Sequence, residues 1–497
     1  MTRGKTMSTL RAAPRLTGWT LTALLALGAA GAQGQEAPAD GAGGETAEAA
    51  ATAREESLVP AETADRDPEQ DLLAIYQLAR EADRGLAASR SQRRAVEAGV
   101  DQAIAQFLPQ INLEGGYEEQ TTTYPDSETR PDQDTTGWDA RLSLTQPIFR
   151  RGYFVDLERA RSATEQADIE LSLAEQQLVV DVTQAYFDVL LAQDELALVE
   201  RELAAVESQL DEAKQALEVG TGTQTDVDEA RATYDQVRSE RVAAVNQLNV
   251  ARETLRRLTG EQPQELAGLV EDFEPQPVEP ADASHWVDLA RRYNLEVQLA
   301  AQEEQLARHD VDANRAERWP QLDLEAQYSY TDKEQDRFFG TAGVQTIAEP
   351  SDTRSIRLQA SMPLFTGGKI SSGIRRAEAE RTAAAEELAD QRRASALDAR
   401  SAYLNLRSER QRVEALEQAL VSARSNEASV RRGKEVGTRT TTEVLDAQSQ
   451  RFETKRDLAE ARYNYLLNFV ELQAAVGMAV DEGVIQEINE QLQPVEP

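Results

Sequence analysis

Pro109-Gln110-Ile111-Asn112-Leu113-Glu114 returns 211 residues later as Pro320-Gln321-Leu322-Asp323-Leu324-Glu325. In both copies aliphatic residues alternate with polar ones, the period of a strand with one apolar face. A proline disfavours helix in the residue before it, so Pro109 and Pro320 each also close a helix. The alternation continues through Gly115 and Tyr117, with Gly116 and Glu118 on the other face, and through Ala326, Tyr328 and Tyr330 in the second copy. A second strand follows each first one. Trp138, Ala140, Leu142 and Leu144 alternate with Asp139, Arg141, Ser143 and Thr145; later come Ile356, Leu358, Ala360, Met362 and Leu364. Each strand reads as about ten residues, the length of a tilted strand crossing a bilayer.

The duplication runs through the rest of the chain. Pro147-Ile148-Phe149 matches Pro363-Leu364-Phe365 at an offset of 216, and Glu218-Val219-Gly220-Thr221 matches Glu435-Val436-Gly437-Thr438 at 217. A repeat at fixed spacing means two copies of one structural unit. The first repeat spans 69–263 and the second 284–477, joined by a Pro- and acid-rich linker, 264–283, and followed by a C-terminal tail, 478–497. Each unit reads helix, strand, strand, long helix, shorter helix, with Pro109, Pro147, Pro320 and Pro363 at the strand–helix junctions. The long helices are expected over 153–219 and 369–436, each roughly 100 Å at 1.5 Å per residue. The leading helices, 71–107 and 285–318, and the returning ones, 225–258 and 442–475, are half as long. Placed end to end, two of these match one long helix. The pairs Leu178/Val182, Ala185/Val189, Ala192/Leu196, Val199/Leu203, Val206/Leu210 and Ala213/Leu217 keep a seven-residue seam. Such a seam calls for a partner helix along its length. The second long helix is less apolar there, with Glu409, Glu427 and Lys434 at equivalent positions.

Composition excludes several classes. With 53 basic and 88 acidic residues the net charge is −35, which argues against a nucleic-acid partner, since phosphate is held by Lys and Arg. The chain has no cysteine, so disulfides, thiolate metal sites and thiol nucleophiles are excluded. Its two histidines, His285 and His309, are expected on helix surfaces, and no metal or cofactor is implied. No phosphate-binding Gly loop, catalytic carboxylate pair or nucleophile motif stands out, so the chain reads as no enzyme. Residues 1–32 carry Arg3, Lys5, Arg11 and Arg15, an apolar stretch Leu16 to Ala30 and a small-residue Ala30-Gly31-Ala32 site. That is a secretory signal peptide. Residues 33–68, rich in Ala, Gly and acids, read as a disordered leader without a Cys for lipid anchoring. Beyond residue 32 no apolar run approaches the ~20 residues of a spanning helix.

Four strands pose a problem of edges. Unpaired backbone groups are not tolerated in lipid, and the smallest membrane barrels have about eight strands. One chain cannot close a barrel, but several copies can each supply four staves. Tyr117, Trp138, Tyr328 and Tyr330 toward the loop ends, and Phe149, Trp319 and Phe365 near the helix junctions, supply two aromatic girdles. The competing reading is a soluble periplasmic coiled-coil adaptor or structural protein. It shares the long hairpins but does not explain spanning-length strands.

Gly437-Thr-Arg-Thr-Thr-Thr-Glu-Val-Leu-Asp446, followed by Ala461-Arg-Tyr-Asn-Tyr-Leu-Leu-Asn468, resembles the second hairpin of TolC-type outer-membrane efflux proteins. With the duplication and the Val-Gly-Thr turns, the resemblance covers about 69–477. It implies a mainly α fold with a small β part: a homotrimer with a twelve-stranded barrel in outer-membrane lipid, on a helical tunnel crossing the periplasm. The loops 118–136 and 331–354 would face outside. Such a channel serves efflux pumps or type I secretion, with a periplasmic adaptor (membrane fusion) protein. Its inner-membrane pump is of the resistance-nodulation-division, ABC or major facilitator type. The resemblance places the gate at the hairpin turns of Gly220 and Gly437. There Thr225 and Asp226 would meet Arg439, and Glu443 and Asp446 would form an acidic selectivity ring. Lys434 departs from the family, which has a gating tyrosine at that position. Thr223-x-x-Asp226 and Thr440-x-x-Glu443 also fit capping boxes, an alternative role for both acids.

Overall fold

The computed structural model describes residues 71–125, 131–262, 265–270, 273–338, 343–348, 350–479 and 482–493. The expected signal peptide and leader, 1–32 and 33–68, lie outside the described residues. The first repeat opens on α1 (Leu72–Ala82) and α2 (Arg84–Ala105), then β1 (Gln110–Thr122), β2 (Gln133–Phe149), α3 (Arg151–Glu218) and α4 (Gln224–Thr259). The linker holds β3 (Gly268–Leu269). The second repeat runs α5 (Ala283–Tyr293), α6 (Leu295–Ala316), β4 (Gln321–Phe338), β5 (Val344–Ala348), β6 (Ser351–Ser361), α7 (Lys369–Glu435) and α8 (Thr441–Ala475). The tail adds α9 (Glu482–Asn489) and β7 (Leu492–Gln493).

The leading helices are not the single rods expected over 71–107 and 285–318. Each is broken, at Asp83 and at Asn294, where the backbone turns extended. The cause is a cap inside an amphipathic run. The Asp83 carboxylate accepts from the Leu86 N–H at 2.7 Å, and the Asn294 amide oxygen accepts from the Val297 N–H at 3.0 Å. These two residues stand 211 apart, the offset of the strand motif, so the break is part of the duplicated unit.

At 68 residues, α3 is long enough to take α2 and α4 as successive partners. In the same way α7 takes α6 and α8. Because α3 also packs on α6 and α8, the wall reads α2–α3–α6–α7 near the sheet and α4–α3–α8–α7 near the turns. The expected seam is the buried edge of α3, with Leu178, Val182, Ala185, Val189, Ala192, Val199, Val206, Leu210 and Ala213 inside.

The linker and tail are part of the largest core. Leu72, Ile75, Tyr186, Leu255, Phe273, Leu472 and Ile485 meet in one cluster. Tyr186 donates its hydroxyl to the Ala267 carbonyl at 2.7 Å, and Tyr465 donates to the Gln276 carbonyl at 2.7 Å. Asn489 of α9 caps the start of α1, accepting from the Leu72 N–H at 3.1 Å, and β7 pairs with β3.

The sheet is antiparallel in the order β1–β2–β4–β6, with β5 pairing the far part of β4. Its strands have 13, 17, 18 and 11 residues, so much of the expected loops 118–136 and 331–354 is ladder. Pro109 and Pro320 stand immediately before β1 and β4, and Pro363 lies just past β6, which ends before Met362 and Leu364. Pro147 is inside β2, opposite Asp323, where the register slips before Phe149. Proline lacks the donor a regular ladder needs, so it sits at an irregularity.

Pairing brings the alternating residues into register across strands. Leu113, Leu142 and Tyr328 share one row, and Ile111, Leu144, Ala326 and Ile356 the next. This apolar face is open: Leu113 is 76% and Ile356 82% exposed. The opposite face is polar and carries its own pairs. Arg150 grips Asp323 with two hydrogen bonds of 2.9 Å, and Lys333 pairs with Glu118.

Candidate functional site

The two helical hairpins turn with the same chemistry. Val219 and Val436 end the long helices, and Gly220 and Gly437 follow at φ 78° and 76°. Left-handed backbone favours glycine at this position. Thr221 N–H reaches the Ala216 carbonyl at 2.9 Å, and Thr438 N–H reaches Gly433 at 2.9 Å, so both ends satisfy their last carbonyls alike. A Cβ at either glycine would meet nothing within 4 Å; the backbone angle alone requires Gly there.

Each returning helix starts with a capping box, Thr223 with Asp226 and Thr440 with Glu443. Asp226 is held below the ordinary carboxylate range by the Thr223 hydroxyl and N–H, with help from the Lys434 charge. Glu443 is held low by the Thr440 N–H and by Arg439. Arg439, in the turn, pairs with Glu443 in the first turn of α8 at 2.5 Å. Within one chain, therefore, the structure does not bring Arg439 to Thr225 or Asp226. Lys434 makes the connection between hairpins instead, 3.6 Å from Glu212 of α3 and acting on Asp226 of α4. Asp446 is exposed and makes no hydrogen bond or ion pair with the described residues.

Some contributors were not foreseen. Gly433 gives Arg439 room to fold back, since a Cβ there would lie 2.6 Å from the Arg439 Cγ. More extensive is a row on α8, where Thr442, Ser449, Arg456 and Tyr463 recur every seven residues. Each faces a carboxylate of the first hairpin. Thr442 donates to Glu229, Ser449 to Glu202 at 3.0 Å, and Tyr463 to Asp194 at 2.8 Å, while Arg456 lies 3.8 Å from Glu195. Gln209 and Gln448 add an amide bond of 2.6 Å. Burial pushes the Glu202 carboxyl up from its ordinary value. The heptad spacing of these donors was the readable signal; only their partners were hidden.

Among the described residues no group of His, Asp and Glu is arranged to hold a metal, and no helix is long and apolar enough to cross a membrane. The open apolar sheet, the tunnel-length hairpins and the paired turns are thus the features available for function.

Known proteins share this arrangement. The family model described as outer membrane efflux protein matches twice, over residues 75–261 and 286–478. The outer membrane protein TolC of Vibrio cholerae is 32% identical over 84% of this chain and 92% of its own. The alkaline protease secretion protein AprF of Pseudomonas aeruginosa is 27% identical over 84% of this chain and 86% of its own. The solved structure of CusC superposes with a TM-score of 0.69 at 18% identity, covering 82% of this chain and 92% of that one, a likeness of fold.

Proposed function

The chain belongs to the outer membrane efflux protein family, and from that premise we propose that it is the outer-membrane exit channel of efflux and type I secretion machinery. The observation that carries this reading is the sheet. Its edges, β1 and β6, have no partner beyond them among the described residues, and its apolar face is open. In lipid an unpaired edge costs several kcal/mol per group. Three copies pairing β6 to β1 close twelve strands, apolar side to lipid and polar side to a water-filled lumen. Export directed by residues 1–32 delivers the chain to the outer membrane. The soluble-adaptor reading leaves the open apolar face without a solvent that suits it.

Beyond the sheet the hairpins form a periplasmic tunnel closed at the turns. An arginine in the turn whose one ion pair among the described residues is with Glu443, four residues on, is available to an adjoining copy, so Arg439 is the gate contact toward Thr225 and Asp226 of the next hairpin. Asp446, with Glu443, lines the mouth as a ring of carboxylates that favours cations. Energy for transport comes from other proteins, and a periplasmic adaptor and an inner-membrane pump complete the path.

The test is fractionation followed by reconstitution. A detergent-extracted trimer from the outer membrane that conducts ions in a planar bilayer is expected. A periplasmic monomer without conductance would refute the proposal.

A further inference from the structure

One groove stands against the charge of the whole molecule. In a chain of net charge −35, Arg201 of α3, Arg424 and Arg431 of α7, and Arg451 and Lys455 of α8 line a single groove of about 530 Å³. Its one lining carboxylate, Glu427, is already used on both oxygens: Arg431 holds one at 2.9 Å and Arg451 the other at 2.5 Å. Arg451 also lies over the Phe452 ring, 4.1 Å from its centre. Arg201, Arg424 and Lys455 make no hydrogen bond or ion pair with the described residues. They nonetheless converge closely enough that Lys455 is held below its ordinary value, first by burial and then by Arg201, Arg424 and Arg451. Asp194 acts on Lys455 and on Arg201 without forming an ion pair with either, and its carboxylate accepts from Tyr463.

Three cations from three helices thus repel one another in a groove where none of them has an ion pair among the described residues. We propose that this groove binds a small multivalent oxyanion, such as inorganic phosphate or a di- or tricarboxylate, through Arg201, Arg424 and Lys455. Two guanidinium forks match the planar or tetrahedral oxygens of such a ligand, whereas chloride offers them a single point of contact. A lipid headgroup is out of reach. Arg201 lies 50 residues along α3 from its start beside the sheet, roughly 75 Å at the helical rise. The ligand therefore comes from the aqueous phase. Because it touches α3 on one side and α7 and α8 on the other, it straps the first hairpin to the second. The exclusion of a lipid headgroup rests on the channel reading, whereas oxyanion binding itself requires no conductance.

Isothermal titration of the full chain in detergent with inorganic phosphate, at constant ionic strength in sodium chloride, tests it. The wild type is expected to take up one phosphate per chain saturably. Arg424→Gln with Lys455→Gln should weaken binding about tenfold or more, the loss of two charge-assisted contacts. Arg201→Gln alone should weaken it by less. Arg231→Gln with Arg238→Gln, an equal change of charge on exposed α4, should leave it unaltered. Absence of saturable heat from the wild type would overturn the proposal, as would an equal loss in the α4 control. So would an unchanged phosphate affinity in the Arg424/Lys455 variant together with a fall in its oligomer mass, which would assign the groove to contact between copies.

Discussion

The long helices α3 and α7 occupy equivalent places in the two repeats, have 68 and 67 residues, and end in the same turn, yet they are buried differently. Down α3 an apolar seam is covered on several sides by α2, α4, α6 and α8. Along α7 the equivalent seam carries Glu427, and aliphatic residues face outward: Leu397 is 63%, Leu404 50% and Val421 59% exposed. On α4, at the other margin of the wall, Val242 and Val250 are exposed in the same way. The difference follows from position, because α3 is an inner stave and α7 an outer one. In the proposed assembly the exposed aliphatics of this outer stave would be half of a contact between copies. Duplication therefore supplied two similar helices, and their places in the wall bury them differently.

The comparison can be broken most forcefully at Tyr186 on α3. Tyr186→Ala removes a fully buried ring and orphans the Ala267 carbonyl, a loss of about 3–5 kcal/mol. Thermal melting of the protein should fall accordingly; a melt like the wild type's would show that α3 is not the inner stave. On α7, Leu397→Asp with Leu404→Asp should leave the helical circular dichroism intact while splitting the oligomer on size exclusion. Loss of helix content in step with the oligomer would instead make α7 a core helix like α3.

A smaller effect is expected at the turns that end both helices. Arg439→Ser removes one charge-assisted contact of about 1.5 kcal/mol, so closed channels should open roughly tenfold more often in bilayer recordings. Unchanged opening would confine Arg439 to its bond with Glu443. The smallest effect is a divergence with pH. At Glu202, on the α3 side of the seam with α8, the folded carboxyl is raised by burial. The native chain then binds more protons than the unfolded one, and stability rises as pH falls through that raised value. Asp226 and Glu443 at the turns are depressed, so their contribution is present above the ordinary carboxylate range and is lost as pH falls through their lower values. Hydrogen exchange should therefore show the mid-seam tightening in mild acid, and the turns loosening only in stronger acid. Parallel loosening of both would contradict the assignment.

Much of this was legible because it is written locally. Alternation behind Pro109 and Pro320 marks strands, the seam from Leu178 to Leu217 marks a paired helix, and Val-Gly-Thr marks each turn. The breaks at Asp83 and Asn294 escaped because an N-cap within an amphipathic run leaves the apolar period undisturbed. Helix α9 escaped because Val484, Ile485 and Ile488 are too few to establish a period. At the candidate site the caps of Asp226 and Glu443 follow from three-residue spacing. The partner of Arg439, the bridging position of Lys434 and the carboxylates opposite Ser449 and Tyr463 do not. Those depend on which helices lie side by side, and nothing in the neighbouring residues records it.

The central claim is that one chain is an open third of a closed wall, and the absence of cysteine provides a clean background for testing it. Leu113→Cys on β1 would be combined with cysteine placed in turn at Arg354, Ile356 and Leu358 on β6, and oxidised in outer membranes. The account predicts that at least one pair links copies into a ladder that stops at three chains. No link between chains at any pair, or a ladder running beyond three, would contradict it.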